Sequence, residues 1–398
     1  MSSKFFNYFL LSVLLSCSNN KEKESTYIPV ENWPKIPSNY ELGNPTGLAL
    51  KSNQNLIVFH RGSRSWQTPM PKDKIKENTI IEIDNSSGEI INAWGADMFI
   101  MPHGLEIDNE NNIWITDVGL HQVIKYDSNG KELMVLGKEF EPGSDSYSFN
   151  LPTDVAVAND GSFYVSDGYG NSRIIKFSKD GSYQFEWGAF GNEKSQFNIP
   201  HGLDLDNNGN VYVADRENNR IQKFDSLGNF IAEWKNQSIG QLYSVNVNNY
   251  ENYILGIDYI GLENMIPIGS DIIYLDLDLN VKSRFGRSGS YGGQRTRYHD
   301  IQIDERGNIR LDSVNSQDTV STDKKVSAVI DTPASSHYGF YYDGDGIPPN
   351  GHPAGFGTSF PTSNVDKGDY WLRTDFLPNR LFRYDGNRWI KVEDSVRL

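Results

Sequence analysis

One cysteine, Cys17, is all that the 398 residues contain. No disulfide can form within the chain, so the fold must rest on its core and on any cation it binds. Positive charge is scarce too: 37 Lys and Arg stand against 52 Asp and Glu, a net charge of −15. That balance, with no basic cluster to interrupt it, argues against nucleic acid or an anionic membrane surface as partner. Long hydrophobic runs are also missing. The apolar stretch within residues 1–16 (MSSKFFNYFLLSVLLS) has the length of a signal-peptide core and is too short to span a bilayer as a mature helix. What the chain does have, with 12% aromatic and 37% hydrophobic residues, is enough apolar material for one large all-β domain and a small second one.

The leader ends at that single cysteine, and Leu14-Leu15-Ser16-Cys17 resembles a bacterial lipobox. Residues 1–17 are therefore expected to be a lipoprotein signal, with Cys17 lipidated as the mature N-terminus and lipid-anchored to the membrane. Ser18 in place of Asp fits sorting to an outer membrane. The expected location is the cell envelope, on the outer membrane or the periplasmic face, or secretion. Residues 18–36, opening with the polar SNNKEKESTY, read as a tether.

The body of the chain repeats. Met101 to Asp117 (MPHGLEIDNENNIWITD) returns as LPTDVAVANDGSFYVSD from Leu151, as IPHGLDLDNNGNVYVAD from Ile199, and more loosely as RYHDIQIDERGNIRLD from Arg297. His103, Thr153, His201 and His299 hold one position of the unit, at intervals of 50, 48 and 98 residues, the last being two units of 49. A repeat of that length, with short strands and Asn/Asp/Gly turns, is the pattern of a β-propeller blade. The expectation is an all-β, six-bladed β-propeller over residues 37–320, with blade one near 43–95, blade five near 241–286 and a weak blade six from His299. The N-terminal Tyr27 to Ile36 is a candidate for the missing closing strand. From residue 321 to 398 a linker and a Gly/Pro-rich loop lead to a small C-terminal β module, whose Trp and Tyr residues are expected to form a core of their own.

The innermost strand of each propeller blade lines a central channel, so one position repeated in several blades places its side chains around one axis. Three imidazoles, His103, His201 and His299, are then expected to converge. Three neutral imidazoles with one open position make the donor set of a catalytic zinc site, whereas closed structural sites take four protein ligands, usually with thiolates that this chain cannot supply. His60 and His121 lie off that position and read as structural. Arg173 and Arg220 read as surface or inter-blade ion pairs.

Taken together, IVFHRG, PHGLEID, PTDVAV, VSDGYGNSR, PHGLDL and VADRENNRIQ, in this order and spacing across residues 40 to 312, resemble the peptidyl-α-hydroxyglycine α-amidating lyases, six-bladed propellers of the NHL type. The resemblance implies a lyase that splits a peptide ending in α-hydroxyglycine into an amidated peptide and glyoxylate. It implies zinc on His103, His201 and His299. It further implies a structural calcium on the carbonyls of Leu48 and Leu105 and the carboxylate of Asp300, oxygen donors that suit a hard cation. Tyr169 falls on the family's catalytic tyrosine. A phenol is a poor base in neutral water, but a nearby dication and guanidinium groups make its phenolate accessible. Arg61 and Arg216 fall on the two arginines that hold the substrate carboxylate. A separate copper monooxygenase is the implied source of the hydroxyglycine.

Two positions depart from the family's pattern. Tyr298 stands where a proline usually precedes the third histidine, and Arg310 stands where an inner apolar strand residue is expected. The rival readings are a non-catalytic NHL propeller that binds protein or glycan at the cell surface and a propeller lactonase, which would carry a carboxylate and Asn calcium centre instead of three histidines.

Overall fold

A computed structural model describes residues 28–30, 33–40, 42–236, 240–263, 266–285, 297–314 and 327–331, with short segments between 353 and 391. The lipobox, Cys17 and residues 18–27 of the tether lie outside the described residues, as does most of the linker.

Five regular blades are four-stranded antiparallel meanders. The first is Pro45–Leu50, Leu56–His60, Ile80–Ile83 and Ile90–Trp94; the second is Pro102–Ile107, Ile113–Asp117, Gln122–Tyr126 and Glu132–Leu136. The third is Asp154–Val157, Phe163–Asp167, Arg173–Phe177 and Tyr183–Trp187; the fourth is Pro200–Leu205, Val211–Asp215, Arg220–Phe224 and Phe230–Lys235. The fifth is Gln241–Asn248, Tyr253–Glu263, Ile266–Asp276 and Val281–Phe285. Burial follows strand position within the blade. Second strands such as Phe163–Asp167 and Val211–Asp215 are buried throughout and run apolar up to their polar ends, whereas the outermost Phe230–Lys235 alternates between half-buried and exposed residues.

The expectation of six blades of one kind needs correction. Only five follow the meander. The sixth sheet takes two strands, Arg297–Ile303 and Ile309–Val314, from the His299 unit. Its third strand is Ser327–Asp331 and its outermost is Ile28–Pro29, from near the opposite end of the chain. The physical reason is visible in the sequence, where no apolar outer strands directly follow Val314. Both added strands lie outside the 37–320 span expected for the propeller.

Arg310 explains its own presence there. Trp114 and Tyr212 stand at its register in blades two and four, and each donates to an aspartate of the preceding turn, Asp108 at 3.0 Å and Asp206 at 3.1 Å. Arg310, 1% exposed, donates to Asp304 at 3.1 Å in the same way, and its guanidinium lies 5.4 Å from the Trp33 ring. The arginine substitutes for an aromatic donor and leaves the strand intact.

Arg173 and Arg220 are not surface ion pairs. Both are buried, at 6% and 2% exposure. Arg220 Nε donates to Asp215 at 2.7 Å, Nη1 to Glu233 at 2.9 Å, and both terminal nitrogens reach the carbonyls of Asn192, Glu193 and Gln196 in the loop arriving from blade three. Removing one partner of such a pair leaves the other charge buried. Arg220→Met is accordingly expected to cost about 3–5 kcal/mol, a fall in thermal midpoint on the order of 10 °C by calorimetry.

In the C-terminal part, Pro353–Gly357, Tyr370–Arg373, Arg380–Tyr384 and Trp389–Lys391 form one sheet. Phe360 stacks on Trp389 at 5.3 Å and meets Phe382 at 4.9 Å, a small aromatic cluster of the expected kind.

Candidate metal centre and active site

In blades two, three and four the residues before the inner strand are pinned by the aspartate that ends the second strand of the same blade. In blade two Asp117 accepts from the amides of Ile100 at 2.7 Å and Met101 at 3.0 Å, just ahead of His103. In blade four Asp215 accepts from Asn198 at 2.7 Å, ahead of His201. His103 and His201 therefore enter their strands from a fixed backbone.

The three rings meet. His103, His201 and His299 are buried, their centroids stand 4.7, 4.8 and 4.9 Å apart, and their ligand nitrogens all lie within 4.8 Å of one another. Each Nδ1 donates to a backbone carbonyl of the next inner strand: His103 to Thr153 at 2.6 Å, His201 to Tyr243 at 2.7 Å, and His299 to Thr46 at 2.9 Å. A carbonyl oxygen only accepts, so the proton sits on Nδ1 and each Nε2 keeps a lone pair facing its neighbours. Around the channel the inner strands alternate, one giving an imidazole and the next the carbonyl that orients it. Burial is the largest influence on all three rings, followed by nearby positive charge. Arg61 and Arg216 act on His103, the His103 ring and Arg216 on His201, and the His103 ring, Arg61 and Arg297 on His299, holding all three well below the usual imidazole range. They are neutral at pH 7, the form that binds a metal.

Tyr169, on the turn after the second strand of blade three, sets its hydroxyl oxygen 3.0 Å from Nε2 of both His103 and His201. Arg216, on the single 3₁₀ turn Arg216–Asn218, donates to that oxygen from Nη1 at 3.3 Å. Arg61, buried and directly after the second strand of blade one, donates from Nε to the Pro102 carbonyl at 3.1 Å. All three lie on connections between second and third strands, on the face where the histidines begin their own strands. The expected catalytic residues are thus brought together. His60 is not among them: its Nε2 stands 3.0 Å from the Tyr40 hydroxyl, away from the cluster. His121 takes the Leu151 amide on Nδ1 at 3.1 Å.

One residue further along the strands, Asp300 accepts from the Leu48 amide at 2.8 Å and from the Ser244 hydroxyl at 2.7 Å. Amide and carbonyl of one strand residue leave on the same edge, so the Leu48 carbonyl also faces the channel. Leu105 is adjacent, since a Cβ on Gly47 would stand 2.6 Å from Leu105 Cβ. Burial pushes the Asp300 carboxyl up to about 6 and the Asp204 carboxyl up to about 7.

A family model described as the NHL repeat matches residues 149–177 and 197–224, within the third and fourth blades. Over 237 residues, 54% of its own length, the chain is 37% identical to a probable peptidyl-α-hydroxyglycine α-amidating lyase of Caenorhabditis elegans, and it covers 67% of that protein. The chain belongs to the peptidyl-α-hydroxyglycine α-amidating lyase family. It is 38% identical to peptidyl-α-hydroxyglycine α-amidating lyase 1 of Drosophila melanogaster, over 56% of this chain and 45% of that one. It is 41% identical to peptidyl-glycine α-amidating monooxygenase A of Xenopus laevis, over 56% of this chain and 27% of that one. The chain thus spans about a quarter of the first curated relatives it matches, 27%, 23% and 23% of their lengths.

This member of the amidating-lyase family carries three site residues that sequence reasoning missed. Trp66, in the insertion of blade one, lies 5.2 Å from the Tyr169 ring and 5.5 Å from the Arg61 guanidinium. Tyr243 fills the histidine position of blade five and stands 5.0 Å from His201 and 5.9 Å from His299. Arg297 starts the inner strand of the sixth sheet, its guanidinium 5.5 Å from the Tyr243 ring. Tyr243 lies 42 residues after His201, short of the 48 and 50 that separate the earlier copies, so counting along the repeat passes it by. The other two carried no local signal.

Proposed function

We propose that this chain is a peptidyl-α-hydroxyglycine α-amidating lyase, cleaving the bond between the amide nitrogen and the α-carbon of a peptide ending in α-hydroxyglycine. The products are a C-terminally amidated peptide and glyoxylate. One observation carries the reading: three imidazoles, each tied through Nδ1 to a neighbouring carbonyl, face one another, and one phenol hydroxyl stands at the Nε2 of two of them. Neutral nitrogens without thiolate, and a coordination position left for substrate, fit zinc. A dication held there supplies Lewis acidity that eases ionisation of the substrate hydroxyl.

The side chains then divide the work. Tyr169 takes the hydroxyl proton as general base. The C–O bond becomes a carbonyl, the C–N bond breaks, and the nitrogen leaves as the peptide amide with a proton that balances the one Tyr169 received. Arg216 steadies the phenol oxygen from 3.3 Å, and with Arg61 it contributes positive charge that offsets that of the incoming carboxylate. Asp300 with the carbonyls of Leu48 and Leu105 suits a structural calcium. We read the sixth sheet as a closing blade. We also read the leader with Cys17 as a lipid anchor of an exported protein, and a separate copper monooxygenase as the source of the hydroxyglycine.

The test is to incubate the purified protein with a synthetic peptide ending in α-hydroxyglycine, assay glyoxylate and measure bound metal. Turnover with about one zinc per chain is expected at a site with three protein ligands. Zinc at that level without glyoxylate would put a binding NHL propeller in its place.

The carbonyl partners matter to the metal as well as the rings. A Cβ on Gly104 would stand 2.7 Å from the Thr153 carbonyl and 2.8 Å from Asp154 Cα, so Gly104→Ala must displace the very group that orients His103. Zinc affinity in a chelator competition is expected to fall about 10- to 100-fold, the usual effect of disturbing a ligand's outer partner.

A further inference from the structure

Three guanidinium groups stand near the histidines, and they are not equivalent. Arg216 is already matched by a carboxylate: its Nε and Nη2 lie 3.0 and 2.9 Å from Glu217 Oε1, and Gln241 holds both oxygens of Glu217 at 2.9 Å. Arg297 has no acidic partner among the described residues, and its Nε makes no hydrogen bond there. Its one donation is from Nη1 to the Tyr243 hydroxyl at 3.4 Å, and its guanidinium is flanked by the rings of Tyr243 at 5.5 Å and Tyr259 at 5.6 Å. Tyr243 places this cation beside the reacting point, because the same ring touches His201 and His299 and has Arg216 on it at 5.2 Å.

An incoming anion gains most from a cation whose charge is not already offset, in a setting that partly excludes water. We propose that Arg297, with the Tyr243 hydroxyl, is the principal seat for the substrate's terminal carboxylate, and that Arg216 serves chiefly to hold Tyr169. This deepens the lyase reading and rests on it for the identity of the ligand. The site selects a free C-terminal carboxylate over an amide or ester, and it does so through the residue two positions before the third histidine.

The experiment is calorimetric and needs no turnover. Two unreactive peptides of one sequence, one ending in glycine and one in glycinamide, are titrated into the metal-loaded protein, the wild type and Arg297→Met, Arg297→Lys and Arg216→Met. The wild type is expected to favour the free acid by about 10- to 100-fold, the range of a charge-assisted hydrogen bond. Arg297→Met should abolish that preference by weakening the acid alone, Arg297→Lys should keep several-fold of it, and Arg216→Met should keep most. A wild type that does not discriminate, equal preferences in the Met and Lys variants at 297, or a larger loss at 216 than at 297 would each overturn the proposal. Thermal midpoints and metal content identify a variant that fails to fold, in which case the Lys variant carries the comparison. A carboxylate preference that depends on Arg297 in a protein that releases no glyoxylate would keep this seat and discard the lyase.

Discussion

Replacing His201 by alanine is expected to strip the metal and stop glyoxylate release. The ring is 2% exposed, its Nδ1 is held by the Tyr243 carbonyl, and its Nε2 is one of three that face a common point. Zinc held by four ligands in small domains is bound with about 10–16 kcal/mol, so one ligand represents about 3–4 kcal/mol, or some 10²- to 10³-fold in affinity. Activity at limiting zinc should fall at least as far. Metal analysis after dialysis and a glyoxylate assay read the two effects separately, and added zinc should restore part of the second. His121→Ala is the control: that ring serves the Leu151 amide, so zinc content should stay unchanged. Full metal occupancy in His201→Ala would mean that the imidazoles are not the ligands.

Tyr169→Phe should behave differently. The benzene ring can keep its place between Trp66 at 5.2 Å and the Arg216 guanidinium at 5.3 Å, so only the hydroxyl is lost. Metal content and KM should hardly change while kcat drops about 10²- to 10⁴-fold, the usual contribution of a positioned general base. Single-turnover measurements at saturating substrate isolate that step. A fall of less than tenfold would assign the proton to another group, and a fall in zinc content would show that the phenol supports the metal and not the proton transfer.

Much of this site was legible because a propeller turns sequence period into spatial position. Counting from His103 to His201 to His299 located the rings, and the resemblance to the amidating lyases singled out Tyr169 and Arg216 on the turns after Asp167 and Asp215. The rest was hidden for physical reasons. Trp66 belongs to an insertion, where no register predicts direction, and it reaches Tyr169 only through tertiary packing. Arg297 opens the loosest copy of the repeat, where Met101 and Ile199 stand in the others, and its meaning depends on Glu217 having matched Arg216, a fact about partners and not about pattern. The outer strands of the sixth sheet pair Ile28 with Asp331, and a contact across that much chain leaves no local trace. Tyr298 looked like a fault for want of proline, yet its amide donates to the Ser270 hydroxyl at 2.8 Å, a bond proline would forbid.

The alternation of ring and carbonyl around the channel also bears on how such a centre can change over time. Each imidazole borrows its orientation from a neighbour that has none of its own to orient, and His299 closes the circuit on Thr46. A repeat gained or lost beside a histidine would change which carbonyl meets its Nδ1 and so where its Nε2 aims. The number of repeats, in a centre of this kind, is tied to the convergence of its ligands.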